Sequence, residues 1–421
     1  MTSSLSLSTP TYPKTILGGY MITVGTAVGA GMFSLPVVSA GMWFSWSIVC
    51  LLVSWFCMYQ ISLMILEVNL NFKIGDSFDT MVRGTLGKGW SIINGLAFAF
   101  LLYILDYAYI SGGGSIVTHT LVATTGYAPP QMISGLMLAL FFSFIVWLST
   151  RAVARVITIL IVSMVITFIL ATSDLFLMVD IAKIVSASAA ENQSPFIHFL
   201  FAALPYYLTA FGFYSVVPSL VKLYGKNPEI IRKSMLAGSA SSFVIYILWL
   251  IVSMGLLERA AFLPIIVEGG NVGILLARIN EIVAGERLIR FLNIFANMAL
   301  ISSFLGVSLS LFDFISDRFD FTDSPVDRTK CALIAFLPPT FGALIFPDGF
   351  LYAIGFAGLV LTLSGLVIVP LMLRKSHKKF AAAEYQVRGG STLLYVIIAL
   401  GLLYATFHVL AMLELLPVYG H

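Results

Sequence analysis

Apolar residues along this chain come in long blocks, not in alternation with polar ones. Blocks of roughly 20 residues, separated by short polar connections, predict helices long enough to cross the hydrocarbon core of a bilayer. Eleven can be marked, at 15–38, 42–68, 90–118, 132–150, 154–178, 197–221, 232–256, 288–315, 330–346, 349–373 and 392–415. Several are long enough that they must tilt or bend. The expected division is a cytoplasmic tail at 1–14, a five-helix repeat at 15–180, a second at 195–374, and an eleventh helix at 392–415. Residues 257–287, with Glu258, Glu268, Glu281 and Glu286 beside their basic neighbours, read either as an extracellular cap with short surface helices or as a solvated loop.

Composition narrows the class. With 59% hydrophobic and 10% charged residues and a mean hydropathy of +0.99, the chain has too little polar surface to solvate a globule of its size. A soluble enzyme, a nucleic-acid binder and a disordered scaffold are excluded; an all-α integral membrane protein in contact with lipid remains. The net charge of +3 is too small to imply a polyanionic partner. Of the 23 Lys and Arg, 18 fall on the N-terminal side of the predicted spans and 5 on the other, which places the N-terminus in the cytoplasm and the C-terminus outside. The first block reads as a retained signal anchor, since only Lys14 precedes it and Gly29, Gly31 and Pro36 interrupt it.

Three scattered cysteines (Cys50, Cys57, Cys331) and five isolated histidines offer no disulfide framework and no transition-metal site. Neither HExxH nor GxSxG is present, so no catalytic residue is expected. A filter-like polar loop or rings of like charge, which a channel needs, are likewise missing.

The chemistry lies where helices should fail. The first block contains Gly25, Gly29 and Gly31 followed by Pro36, and each glycine lowers helix stability by about 1 kcal/mol relative to alanine. This predicts either a break at mid-membrane or a GxxxG packing face. A break would aim free N–H groups and a dipole's positive end into the membrane, which suits a carboxylate. The sixth block carries Thr209-Ala210-Phe211-Gly212-Phe213-Tyr214-Ser215 and then Pro218. Paired interruptions in matching spans of two halves point to a transporter binding site. Phe211, Phe213 and Tyr214 would stack on an aromatic solute, or are ordinary core aromatics. Asp106, on one face with Tyr103 and Tyr107, is the acidic residue deepest within a span; it would hold a proton, a sodium ion or a substrate ammonium, or be tied to neighbouring hydroxyls for structure. In the eighth block Asn297, Ser302 and Ser303 offer oxygens to a hard cation or hydrogen bonds between helices.

Taken together, Gly29-Ala30-Gly31-Met32-Phe33-Ser34-Leu35-Pro36, Tyr109-Ile110-Ser111, Val217-Pro218-Ser219-Leu220, Ser302-Ser303-Phe304-Leu305-Gly306-Val307, Leu311-Phe312-Asp313 and the run Gly349 to Gly355 resemble the bacterial aromatic amino acid permeases, most of all their tryptophan-carrying branch. The resemblance runs from about residue 15 to 419. It implies eleven helices of the LeuT-like 5+5 inverted repeat, with helices 1 and 6 discontinuous, within the amino acid–polyamine–cation superfamily. It implies import of tryptophan, tyrosine or phenylalanine across the bacterial inner membrane by ion-coupled symport, in a monomer with no cofactor beyond the coupling Na+ or H+.

Carried over residue by residue, the N–H groups around Ala30 to Met32, beside Gly29 and Gly31, would hold the carboxylate. Carbonyls near Thr26, Ala27 and Thr209 would take the ammonium. Phe211, Phe213, Tyr107 and Asn297 would shape the side-chain pocket, with Asp106, Gly212 and Tyr214 close by. Gly25, Val28, Ala299, Ser302 and Ser303 match the sodium position of sodium-coupled members. Three residues depart from the proton-coupled members: Met164 stands for a lysine, Tyr214 for a histidine and Asp106 for a threonine. Losing a fixed ammonium at position 164 favours sodium, with proton coupling moved to Asp106 as the other version. The same fold carrying serine or threonine, and a non-transporting amino acid sensor, are the alternatives.

Overall fold

The computed structural model describes residues 15–29, 31–186, 196–270, 272–283, 285–380 and 384–420; the expected tail at 1–14 and Ala30 lie outside them. Among the described residues the chain is helical and has no strand. The first span is two helices, α1 (Leu17–Ala27) and α2 (Gly31–Ser39), meeting at a bend of 49°. Next come α3 (Trp43–Leu70), the short α4 (Phe78–Leu86), α5 (Lys88–Thr125), α6 (Gln131–Leu148), α7 (Thr150–Leu177) and the short α8 (Ile181–Ser186). The sixth span is α9 (Leu200–Ala210), a 3-10 segment (Gly212–Val216) and α10 (Val217–Tyr224). The seventh is α11 (Pro228–Leu256), followed by α12 (Leu263–Val267) and α13 (Val272–Ile282) in the connection. The remainder is α14 (Glu286–Arg318), α15 (Pro325–Ile345), α16 (Phe350–Leu361), α17 (Val369–Lys379) and α18 (Gly390–Met412).

Among the described residues, α3, α5, α6, α7, α11, α14 and α18, the α9–α10 and α16–α17 stretches and the bent α1–α2 pair are long and apolar enough to cross a membrane. The remaining expected span, the ninth in order at 330–346, is α15, which does not meet that standard because Arg328, Lys330 and the Pro338-Pro339 pair interrupt its apolar length. Helix ends differ from the apolar blocks for a local reason: caps lie in the polar flanks. The hydroxyl of Ser149 accepts from Ala152 N–H at the start of α7, and Ser324 accepts from Asp327 N–H at the start of α15. Asn227 accepts from Ile230 N–H with Pro228 in the first turn of α11. Such caps stabilise a helix start by about 1 kcal/mol.

Small residues set the closest packing. A Cβ on Gly114 of α5 would lie 2.8 Å from the Gln131 carbonyl and 2.9 Å from Gly135 N of α6, so these two helices cross backbone against backbone. Between α16 and α17 the tenth span widens into a π-helical stretch, Thr362–Ile368, which the sequence did not announce. In the 257–287 connection, α13 buries Val272, Leu275, Leu276 and Ile279, the spacing of one helical face, and packs on α5.

Both ends of the bundle are tied. At the end that carries the 257–287 connection, Arg259, 6% exposed, donates to the carbonyls of Ala40 (3.0 Å) and Gly41 (2.9 Å). Its guanidinium lies over the rings of Phe196 and Tyr419 at 4.7 and 4.3 Å. At the opposite end, Gly19 N–H donates to the Tyr224 hydroxyl (2.7 Å), joining α1 to α10. Nearby, the buried Glu67 pairs with His377 Nε2 at 2.5 Å and accepts from Val387 N–H at 2.7 Å.

Candidate functional site

The two interruptions face each other. At the first, Val28 leaves helical geometry (φ −76°, ψ 101°), so the Ala27 carbonyl has no helical partner ahead of it. At the second, Phe211 N–H bonds back to Leu208 O, Phe213 N–H to Phe211 O (2.8 Å), and the next residues tighten into a 3-10 turn. Pro218 has no N–H to continue an α ladder through this stretch. The sixth span is therefore tightened and not unwound, a milder interruption than expected. Gly31 meets it directly: a Cβ there would lie 3.3 Å from Ala210 Cα and 3.8 Å from the Thr209 carbonyl.

The carbonyls freed at the two interruptions converge on one group. The Tyr246 hydroxyl, at the middle of α11, donates to Ala27 O at 2.5 Å and Ala210 O at 2.6 Å. Tyr246 is fully buried and its ring lies 4.9 Å from that of Phe211. The sequence reading passed over Tyr246; the signal was a lone hydroxyl-bearing residue in the run Ile245-Tyr246-Ile247. One turn further out, Trp249, Phe33 and Phe295 form a cluster of rings with centroids 5.6–6.4 Å apart, and the buried Trp249 indole N–H has no hydrogen-bond partner.

Of the expected cation residues, Ser303 and the Ala299 carbonyl lie against Gly29. A Cβ on Gly29 would overlap the Ser303 hydroxyl and lie 3.9 Å from the Ala299 carbonyl. Ser302 donates to that same carbonyl at 3.0 Å. Gly25 faces Ile161 of α7, one turn from the buried Met164, and Val28 is buried beside the interruption. Asp106 is fully buried, accepts from Ser308 at 2.9 Å, and has no partner on Oδ2. Tyr109, one turn along α5, is buried with its ring edge-on to that of Phe304 in α14. Asp106 thus faces α14 through Ser308. Ser308 was the partner missed by sequence.

Other expected residues point elsewhere. Tyr107 donates to the Phe346 carbonyl (2.8 Å) and packs on Gly342 and Gly349 at the end of α15, so it is a helix tie and not a pocket wall. Asn297 donates to Thr120 (3.1 Å) and Asn293 O (2.8 Å), joining α14 to the far end of α5. Thr209 donates to Pro205 O and Ile354 O toward α16, leaving only its carbonyl near Gly31. The exposed Thr26 hydroxyl bonds back to Ile22 O. Met32 N–H is taken by Gly29 O at 3.1 Å, so it is not free for a carboxylate. Tyr214 shares a 2.9 Å hydrogen bond with Ser364 in the π-helical stretch. Gly212 has room for a Cβ, 3.7 Å from Leu361, and Phe213 is buried. No cluster of three His, Cys, Asp or Glu that would hold a metal occurs among the described residues.

Residues 13–408 match the tryptophan/tyrosine permease family. The chain is 45% identical over 417 residues to the tryptophan-specific transport protein of Pseudomonas aeruginosa (strain UCBPP-PA14), covering 99% of this chain and 100% of that one. It is 36% identical over 405 residues to the tyrosine permease of Enterobacter agglomerans, covering 96% and 97%. Among solved structures, MhsT in complex with L-phenylalanine superposes with a TM-score of 0.57 at 12% identity, over 97% of this chain and 100% of that one, which gives the LeuT-like fold.

Proposed function

Given that this chain belongs to the tryptophan/tyrosine permease family, and is thus a multi-pass membrane transporter and not an enzyme, we propose that it imports an aromatic amino acid, tryptophan first, by ion-coupled symport with alternating access. The observation that carries this is the convergence of the Ala27 and Ala210 carbonyls at facing interruptions. Helix C-terminal carbonyls carry partial negative charge, so two of them meeting in an apolar interior form a place for an ammonium. Phe211 beside them and the Trp249–Phe33–Phe295 cluster supply flat apolar surface for an aromatic side chain, and the orphan Trp249 N–H is a donor awaiting an acceptor.

For the coupling ion we favour sodium, bound by the Ala299 carbonyl and the Ser302 and Ser303 hydroxyls against Gly25, Val28 and Gly29. Hard cations take oxygen ligands, and these oxygens gather where α14 meets the first interruption. An ion drives the cycle only by binding one state more tightly than the other; ligands drawn from two moving helices meet that requirement. The open Oδ2 of Asp106 supports a second version in which a proton is the coupling ion. In either version the protein works as a monomer in the bacterial inner membrane, N-terminus inside and C-terminus outside. Uptake of radiolabelled tryptophan into proteoliposomes under separate sodium and pH gradients tests the reading. Accumulation lost only when the pH gradient collapses selects the proton; no accumulation under either overturns symport.

A further inference from the structure

The Tyr246 hydroxyl occupies the carbonyl pair that an amino acid's ammonium would need. Both carbonyls are freed by backbone geometry, one where α1 leaves the helix at Val28 and one where α9 tightens into the 3-10 turn. A hydroxyl has one proton to give to two acceptors, whereas a primary ammonium has three and a full charge. The hydroxyl is thus the weaker partner for this pair, and it is held there by burial and by its ring contact with Phe211. Left with no donor, two buried carbonyls would be costly to enclose. We propose that Tyr246 is a positioning residue that stands in for the substrate's ammonium in the empty carrier. With the hydroxyl in place the empty protein closes and reorients; an entering amino acid takes the carbonyls and displaces the hydroxyl from at least one of them.

This inference rests on the transport reading above, and its test separates the two. Net uptake requires the empty carrier to return, whereas counterflow, the exchange of external labelled for internal unlabelled tryptophan, does not. Tyr246→Phe keeps the ring against Phe211 and removes only the hydroxyl. In proteoliposomes the ratio of counterflow to net uptake should rise about tenfold in the variant, the scale set by losing the donor to buried carbonyls. An unchanged ratio, with both rates lowered together or both untouched, overturns the proposal. A wild-type protein that shows neither activity overturns the transport reading beneath it. Should the variant fail to fold, fluorotyrosine placed at 246 in the otherwise native chain gives a second readout. Its fluorine resonance should shift on saturation with tryptophan, and a resonance that does not move overturns the proposal.

Discussion

Gly29 and Ser303 are so close that a methyl on the first would overlap the hydroxyl of the second. The contact joins the interrupted first span to α14. Gly29→Ala should therefore abolish uptake and lower stability by about 1–3 kcal/mol, the usual cost of overpacking a close interface. Thermal unfolding in detergent gives the stability. The double variant with Ser303→Ala should regain the stability but not the uptake; recovery of both would show that the hydroxyl is dispensable.

The two coupling versions predict opposite variants. Ser303→Ala should raise the sodium concentration for half-maximal uptake about tenfold, as expected for losing one oxygen from a small ligand set. Asp106→Asn should leave that concentration unshifted. If Asp106→Asn instead removes the response to a pH gradient, the proton version is right. Separately, Ser308→Ala removes the donor to Asp106 and should cost about 1–3 kcal/mol, read as a lowered melting temperature.

The Arg259 clasp ties the turn after α2 to a box of rings through two carbonyls. Arg259→Gln cannot span both, and lysine offers no planar fork. In either variant this end of the bundle should open more often. A cysteine placed at Phe33 should then react several-fold faster with a membrane-impermeant maleimide, and this background is quiet because Cys50, Cys57 and Cys331 are buried. Unchanged labelling would mean that Arg259 does not control access.

At the opposite end, His377→Ala leaves the buried Glu67 carboxylate with the Val387 N–H as its remaining partner. Loss of one partner from a buried charge should destabilise the protein by roughly 1–3 kcal/mol. Glu67→Gln, which still accepts from Val387, should be milder. Equal melting temperatures for the two variants would argue against this ranking.

The interruptions were legible in sequence because glycine and proline act through the backbone at their own position. Gly29, Gly31 and Pro218 marked the places where a break was expected, although Gly112 to Gly114 sit inside the unbroken α5. The side-chain assignments at Tyr107, Asn297 and Thr209 fared worse for a physical reason. A helical position states a face only once the neighbouring helices are known, and these three turn toward α15, α5 and α16. Tyr246 escaped because one hydroxyl in an apolar run looks the same whether it lines a site or meets lipid. Asp106 was found for the cost of burying it, while its partner Ser308 lies 202 residues away and leaves no local trace.

The glycine crossing of α5 and α6 has a mechanical consequence. With Gly114 against Gly135 and the Gln131 carbonyl, no cushion of side chains lies between the two rods, so neither can slide past the other without a backbone collision. The crossing thereby fixes α5 and α6 to one another as a single stiff strut.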